Sequence, residues 1–305
     1  MKNYIIAIVI LVVILGGYFI YKSSSKTEVI VPEPTATTSE PVVATPATST
    51  PIVQNKAKVV IGKSVEGRDI EAYHYGTGSE EVLIIAGIHG GYEWNTFWLA
   101  ATGLLDYFDK NLDSIPSNLK VTIIPEMNPD GVVKVIGTNR GDTGPDDFTS
   151  AALAIRIAGR FNANNVDLNR NFDCSWQSTG VWQSKKVSGG DSAFSEPESQ
   201  AIKEYVEQSK PKAVIVYYSA AGGVYSSACN AGILPETSAL TKLYAKASGY
   251  PAYDKFDAYP TSGDMVNWLA KINVPAISVL LTNHEEIELD KNLAGIKAVL
   301  TRYGK

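Results

Sequence analysis

The chain has 305 residues, of which 45% are hydrophobic and 10% aromatic, enough for a large core in one or two domains. Its formal net charge is −5 and its pI is about 5.4, and no long run of Lys or Arg occurs. These values argue against nucleic-acid binding, so we expect no nucleic-acid partner.

The first segment predicts a membrane location. An almost unbroken apolar run extends from Tyr4 to Tyr21, and its 18 residues would span about 27 Å as a helix, close to the hydrocarbon core of ~30 Å. No small-residue cleavage site follows, so we interpret residues 1–22 as an uncleaved transmembrane anchor rather than a signal peptide. The positive-inside rule barely decides its orientation, because lysines flank both ends.

Residues 23–56 are rich in Ser, Thr, Pro and Val and cannot bury a core, which predicts an extended linker. A tether of this kind predicts a single-pass protein whose folded domain is extracytoplasmic. Cys174 and Cys229 suit an oxidising compartment, where they could form one disulfide; two buried thiols are the alternative.

Residues 57–305 are predicted to form one α/β domain, because apolar runs alternate with amphipathic stretches. The predicted strands cover residues 58–61, 70–75, 82–88, 121–124, 214–218 and 276–281. The predicted helices cover residues 94–108, 197–208, 237–248, 265–271 and 289–303. Ser195 and Glu198 have the spacing of a capping box at the start of the second helix. We expect a mixed, mostly parallel sheet with helices on both faces, and a site where the strands end.

Two motifs follow predicted strands. Asn169 and Arg170 lie between apolar residues, and an Arg fork beside a neutral amide can hold a free carboxylate, although an isolated pair of this type is more often a solvated turn. His89 and Glu93 follow a buried strand, where an imidazole and a carboxylate could bind one zinc ion. By itself, that second pair is more often an ordinary hydrogen-bonded contact.

Further short motifs follow one another in a recognisable order, and together they cover about residues 58 to 300. They are residues 67–70 (Gly-Arg-Asp-Ile), 89–93, 128–131 (Asn-Pro-Asp-Gly), 160–173, 194–198 and 219–225, then Tyr259 with Gly263 and Trp268, and residues 281–283. In this order the chain resembles the zinc carboxypeptidase family, which includes carboxypeptidase A and bacterial murein peptide amidases. The resemblance supports the same α/β fold.

The resemblance implies a role for each matching residue. His89 and Glu93 match the first two zinc ligands, although one extra residue separates them, so Glu93 needs a local bulge to reach the metal. Arg160 matches the arginine that steadies the oxyanion. Asn169 and Arg170 match the pair that grips the terminal carboxylate of the substrate.

Tyr259 matches the tyrosine that closes over bound substrate. Each role has a simpler alternative, in which Arg160 is a surface charge and Tyr259 a packing residue.

Two positions depart from the family. Tyr218 stands where the third zinc ligand, a His, is expected, so we expect zinc to be weakly bound or absent. Leu280 stands where the general base, a Glu, is expected, and losing such a group typically costs roughly 10²–10⁴-fold in rate. A one-residue slip restores nothing, because Leu281 is also apolar. The chain has only three histidines, which are His74, His89 and His284. Of the two that do not belong to the ligand motif, we expect His74 to be structural.

His284, next to Glu285 and Glu286, could replace the lost groups only if its loop rearranged. We therefore expect a membrane-anchored pseudoenzyme that binds peptides with a free C-terminal carboxylate, such as cell-wall stem peptides, with impaired or absent hydrolysis. The alternatives are an active metallocarboxypeptidase or peptide amidase with an altered ligand set, and an interaction module that uses the fold alone.

Overall fold

A computed structural model describes residues 56–137 and 143–305. The predicted anchor, residues 1–22, and almost all of the predicted linker, residues 23–56, lie outside the described residues. Among the helices within those two ranges, none has both the length and the apolar character needed to cross a bilayer.

The described residues form twelve strands and nine α-helices. The strands are β1 (Lys56–Lys63), β2 (Asp69–Tyr75), β3 (Glu80–Ile85), β4 (Leu119–Ile124), β5 (Thr179–Trp182), β6 (Lys185–Ser188), β7 (Ala213–Ser219), β8 (Gly223–Ser226), β9 (Ala228–Cys229), β10 (Gly232–Ile233), β11 (Ala252–Tyr253) and β12 (Ala276–Leu281). The helices are α1 (Trp94–Trp98), α2 (Leu105–Lys110), α3 (Pro129–Ile136), α4 (Pro145–Ser150), α5 (Leu153–Ala158), α6 (Pro197–Ser209), α7 (Pro235–Ser248), α8 (Met265–Lys271) and α9 (Leu289–Tyr303).

Eight strands form one mixed sheet in the order β1-β2-β4-β3-β7-β12-β8-β11. The four central strands, β4, β3, β7 and β12, are parallel to one another. The flanking pairs β1–β2, β2–β4 and β12–β8 are antiparallel. This confirms the predicted mixed, mostly parallel sheet, and it brings the ends of β3, β7 and β12 to one edge.

The sheet is buried on both faces, as the continuous apolar strands predict. One face packs against the segment from α1 to α2 and against α7 and α9, through residues such as Phe108, Tyr244 and Ile296. The other face packs against α6 and α8, through residues such as Ile202 and Leu269. The core is therefore divided into two layers with the sheet between them.

Apart from shifts of one or two residues at the ends of elements, three local features differ from the prediction. The predicted strand 82–88 ends at Ile85, so His89 lies in a loop. The predicted helix 94–108 includes a π-helical segment, Leu99–Leu104, between α1 and α2. The predicted capping box is wrong, because the Ser195 hydroxyl donates to the Glu196 carboxylate and makes no cap bond.

Candidate functional site

The candidate site is a cavity of about 430 Å³ at the carboxyl ends of β3, β7 and β12. Its walls contain all but one of the predicted site residues, namely His89, Glu93, Asn169, Arg170, Tyr218, Tyr259 and Leu280. The remaining one, Arg160, is 1% exposed and lies next to Glu93. The fold therefore brings residues together that are separated by up to 191 positions (280 − 89) in the sequence.

The extra residue between His89 and Glu93 is accommodated by a turn of 3₁₀ helix, Gly90–Glu93. Gly90 has a φ of +45°, and a Cβ there would lie 2.6 Å from the carbonyl oxygen of Gly159, so only glycine fits. The turn places His89 Nδ1 2.9 Å from Glu93 Oε1. The local distortion that Glu93 needs to stand beside His89 is thus present.

Arg160 and Asp167 make a buried ion pair beside this turn. Arg160 donates from Nε and Nη2 to Asp167 Oδ2, at 3.1 and 2.9 Å. Arg160 Nη1 lies 3.7 Å from Glu93 Oε1, and His89 Nε2 lies 3.5 Å from Asp167 Oδ1. Arg160 is therefore buried, and its interpretation as a surface charge is wrong.

The two carboxylates of this group have lowered pKa values. Burial by itself would raise the pKa of Glu93, but His89 and Arg160 outweigh it and hold that pKa below its ordinary value. Burial opposes ionisation of Asp167 in the same way, yet the adjacent Arg160 holds its pKa far below the usual range. Both side chains are therefore ionised at neutral pH.

Tyr218 and Leu280 lie side by side, because they are register partners on the parallel strands β7 and β12. Tyr218 is 5% exposed, and its hydroxyl donates to Asn169 Oδ1 at 3.3 Å. Burial raises the pKa of Tyr218 well above its ordinary value, so the phenol is neutral. Leu280 is 8% exposed and contributes an apolar surface to the cavity.

These residues do not fit a zinc site with three protein ligands. His89 and Glu93 supply two donors, but the third position holds a neutral phenol whose proton is engaged with Asn169. The Arg160 guanidinium also lies close to Glu93, the carboxylate that would bind the metal. Within the described ranges no group of three or more His, Cys, Asp or Glu side chains is placed to hold a metal ion.

Arg170 also lines the cavity. Its Nε and Nη2 donate to the carbonyl oxygen of Val181, at 3.1 and 2.7 Å, and its Nη1 donates to the carbonyl of Asn169 at 2.6 Å. An arginine has five N–H groups, so one on each terminal nitrogen has no acceptor among the described residues. Arg170 therefore lines the cavity with donor groups that the described residues leave unused.

Asn169 is largely committed to the protein. Its Nδ2 donates to Asp264 Oδ2 at 2.9 Å, and its Oδ1 accepts from the backbone N–H of Met265 at 3.1 Å. Asp264 also caps α8 by accepting from the backbone N–H of Asn267. Burial raises the pKa of Asp264, while the backbone bond from Asn267 and the nearby Arg170 counteract that effect.

Tyr259 is half-buried, and its ring lies 5.8 Å from the Arg170 guanidinium carbon. The loop that carries Arg170 is tied to the segment before α8. Gly263 donates to the Cys174 carbonyl and accepts from the Phe172 N–H, both at 2.9 Å, and it has a φ of +61°. A Cβ on Gly263 would lie 2.2 Å from the carbonyl oxygen of Arg170, so glycine is required there too.

Cys174 and Cys229 form a disulfide that contributes to the wall of the same cavity. The sequence left the choice between a disulfide and two thiols open. The link joins the segment after Arg170 to β9.

The other two histidines lie outside the cavity wall. His74 contacts Thr122 through Nδ1 and stacks on Tyr205, consistent with the structural role expected of it. His284 Nδ1 lies 2.8 Å from Ser219 Oγ, and Ser219 in turn donates its backbone N–H to Glu93. Glu285 and Glu286 are exposed.

Sequence reasoning missed Asp167, Asp264 and Trp182. Asp167 could have been noticed because it stands two residues before the Asn-Arg pair, and Asp264 because it precedes a predicted helix at an N-cap position. Trp182, at the end of β5, has its ring 4.5 Å from the Arg160 guanidinium carbon. No signal in the sequence places it there.

Comparison with known proteins gives consistent results. Residues 53–289 match the zinc carboxypeptidase family. Murein peptide amidase A of Vibrio campbellii is 28% identical over 230 residues, which cover 72% of this chain and 76% of that protein. Bacteriocin BCN5 of Clostridium perfringens is 27% identical over 200 residues, or 63% of this chain, but the match spans only 18% of the bacteriocin.

Solved structures agree on the fold. Bovine thrombin-activatable fibrinolysis inhibitor, in complex with tick carboxypeptidase inhibitor, superposes with a TM-score of 0.63 at 18% identity, over 82% of this chain and 90% of that one. A murein-tripeptide amidase from Escherichia coli O157 superposes with a TM-score of 0.56 at 20% identity, over 81% of this chain and 92% of that one. By its sequence match and its fold, this chain belongs to the zinc carboxypeptidase family.

Proposed function

We propose that this protein binds the C-terminal ends of peptides and hydrolyses them slowly or not at all. The observation that carries the proposal is a single cavity whose wall contains both Arg170 and Leu280. The free N–H groups of Arg170 can hold a terminal carboxylate, whereas a leucine cannot accept a proton from an attacking water.

Binding by Arg170 is supported by how firmly the guanidinium is held. It is 1% exposed, and three of its N–H groups are fixed by backbone carbonyls, so little side-chain entropy is lost when an anion binds. Tyr259 lies over it and would cover a bound chain end. The remaining amide N–H of Asn169 is available as a third donor.

Impaired hydrolysis is supported by the identity of two neighbouring side chains. Tyr218 and Leu280 replace a metal ligand and a base at adjacent positions of the sheet, and both are uncharged. Removing the metal removes the activated water, and removing the base removes the group that deprotonates it.

We also propose a membrane-anchored, extracytoplasmic location, in which cell-wall stem peptides are a candidate ligand class. The Cys174–Cys229 disulfide supports it, because disulfides persist mainly in oxidising compartments. The murein peptide amidases among the relatives support this ligand class.

A second candidate function is an active peptidase with an altered ligand set. It is favoured by the proximity of His89 and Glu93, an imidazole and a carboxylate of the types that bind zinc, whose nearest side-chain atoms lie 2.9 Å apart. It predicts zinc retained after dialysis and activity that a chelator abolishes.

The test compares peptides that differ only at the C-terminus, as a free acid or an amide, by calorimetric titration of the purified full chain. Loss of charged hydrogen bonds typically costs about 1.5–3 kcal/mol, so the acid should bind roughly 10–100 times more tightly than the amide. Arg170→Met should abolish that difference, and Arg170→Lys, which keeps the charge without the fork, should reduce it.

The matched control is Arg302→Met, which removes an exposed arginine paired with Glu236 far from the cavity and should leave both affinities unchanged. Thermal unfolding of each variant verifies that it is folded. Equal affinities for acid and amide would favour the interaction module and contradict the proposal. Rapid zinc-dependent release of the last residue would favour the active peptidase instead.

A further inference from the structure

Arg160, Glu93 and Asp167 form a buried cluster, and the guanidinium of Arg160 is a cation within it. We propose that the guanidinium of Arg160 neutralises the Glu93 and Asp167 carboxylates in place of a metal ion, so that this side of the cavity keeps its structure without zinc. The inference does not depend on peptide binding.

The charges and distances fit this role. Glu93 and Asp167 are 2% and 0% exposed, and two buried carboxylates are costly unless a cation accompanies them. Arg160 makes two hydrogen bonds to Asp167 Oδ2 and lies 3.7 Å from Glu93 Oε1, so one guanidinium faces both anions. An arginine cannot lose its proton in a protein, so the positive charge is permanent.

The guanidinium is also held in place by aromatic rings. Its central carbon lies 4.5 Å from the ring of Trp182 and 6.0 Å from that of Tyr92. The two rings pack edge to face with their centroids 5.1 Å apart. These cation–π contacts help to hold the guanidinium in place.

The other oxygen of each carboxylate also accepts a hydrogen bond from the protein. Glu93 Oε2 accepts from the backbone N–H of Ser219 at 3.1 Å, and Asp167 Oδ1 accepts from that of Asn169 at 3.1 Å. His89 lies between the two carboxylates, near an oxygen of each. The anions are therefore surrounded by groups from this chain, and of these groups only His89 belongs to the zinc-ligand set that the family resemblance implies.

The experiment measures thermal unfolding and bound zinc on the purified full chain. For the wild type, neither EDTA nor excess zinc should move Tm, and metal analysis after dialysis should find far less than one zinc per chain. Breaking a buried ion pair leaves an unpaired charge, so Arg160→Met should lower Tm by about 10 °C.

The control Arg302→Met breaks an ion pair of similar geometry with Glu236, but both partners are about 40% exposed. Its Tm should fall by no more than about 2 °C, because exposed pairs contribute little. Arg160→Lys keeps the charge and should recover part of the loss. If Arg160→Met does not fold, the Tm of Arg160→Lys is compared with the Tm of Arg302→Met instead. The proposal then requires that Arg160→Lys is folded.

Three results would overturn the inference. They are one zinc per chain that survives dialysis, a wild-type Tm that falls in EDTA, and an Arg160→Met variant no less stable than Arg302→Met. An Arg160→Lys variant as unstable as Arg160→Met would overturn it as well, because it would show that the shape of arginine matters and its charge does not. Loss of peptide binding would count only against the proposed function, because these readouts do not involve peptide.

Discussion

The two sides of the cavity differ in how much of their family chemistry they keep. We define the carboxylate side as Asn169, Arg170, Tyr259 and Asp264, and the hydrolytic side as His89, Glu93, Tyr218 and Leu280. On the carboxylate side every residue that the family match predicts is present and lies at the cavity or over Arg170. On the hydrolytic side two of four positions hold uncharged replacements.

Under the proposed function, binding and bond cleavage are separable in this fold. A leucine and a neutral phenol at register-paired positions make a stable pair, because neither needs a counter-ion. A glutamate without a metal at the same place would be a buried, unpaired charge.

The largest expected effect comes from restoring the hydrolytic side. Tyr218→His combined with Leu280→Glu supplies the missing ligand and the missing base. With zinc added, release of the C-terminal residue from a peptide should rise by at least about 10²-fold over the wild type, the contribution expected of a placed base. Release is measured by mass spectrometry of the products.

The control for that experiment pairs Tyr218→His with Leu280→Gln, which has a similar shape but cannot act as a base. It should bind zinc and remain slow. If the His and Glu double variant also remained inactive with zinc bound, the hydrolytic side would lack more than these two groups.

A smaller effect is expected from Asp264→Asn on the carboxylate side. The substitution removes the carboxylate near Arg170 and keeps one carbonyl oxygen for the N-cap bond from Asn267, so α8 keeps its cap, whereas Asn169 Nδ2 loses its acceptor. Peptides with a free carboxylate should bind roughly tenfold more tightly, which corresponds to about 1.4 kcal/mol, while amides should bind as before. Calorimetric titration of both ligands distinguishes this result from a general change in the cavity, in which acid and amide would change together.

The smallest effect is expected from a substitution of Glu288, which anchors the loop that contains His284. Glu288 anchors this loop by accepting from the backbone N–H and hydroxyl of Thr282, both at 2.8 Å. Burial opposes ionisation of Glu288, but Lys291, Tyr250 and Thr282 lower its pKa to about 2. A lowered folded-state pKa stabilises the protein above the ordinary value of 4.5, and this stability is lost as the pH falls through 2.

Glu288→Gln should therefore lower the free energy of unfolding by about 1 kcal/mol at pH 7, after discounting for solvent screening. The difference from the wild type should shrink between about pH 4.5 and pH 2, as measured by denaturant unfolding at several pH values. A constant difference across that range would mean that the carboxylate charge does not hold the loop.

Much of the fold was predictable because its signals are local. The apolar runs of β3, β7 and β12 identify strands buried on both faces, and α8 and β12 have the predicted bounds. The N-terminal cap of α6 was less predictable, since the backbone N–H of its N-cap residue, Glu196, donates to Asn171, which lies 25 residues earlier. A local capping rule cannot detect such a partner.

For the candidate site, the sequence by itself determined which residue types are kept and which are replaced, because each motif is a short run of neighbours. Only the tertiary structure decided which partners those residues take. Asn169 meets Asp264 across 95 residues, Cys174 meets Cys229 across 55, and Arg160 meets the ring of Trp182 from a separate hairpin. Chain closure over such distances depends on the packing of the whole sheet, and residue spacing in the sequence carries no record of it.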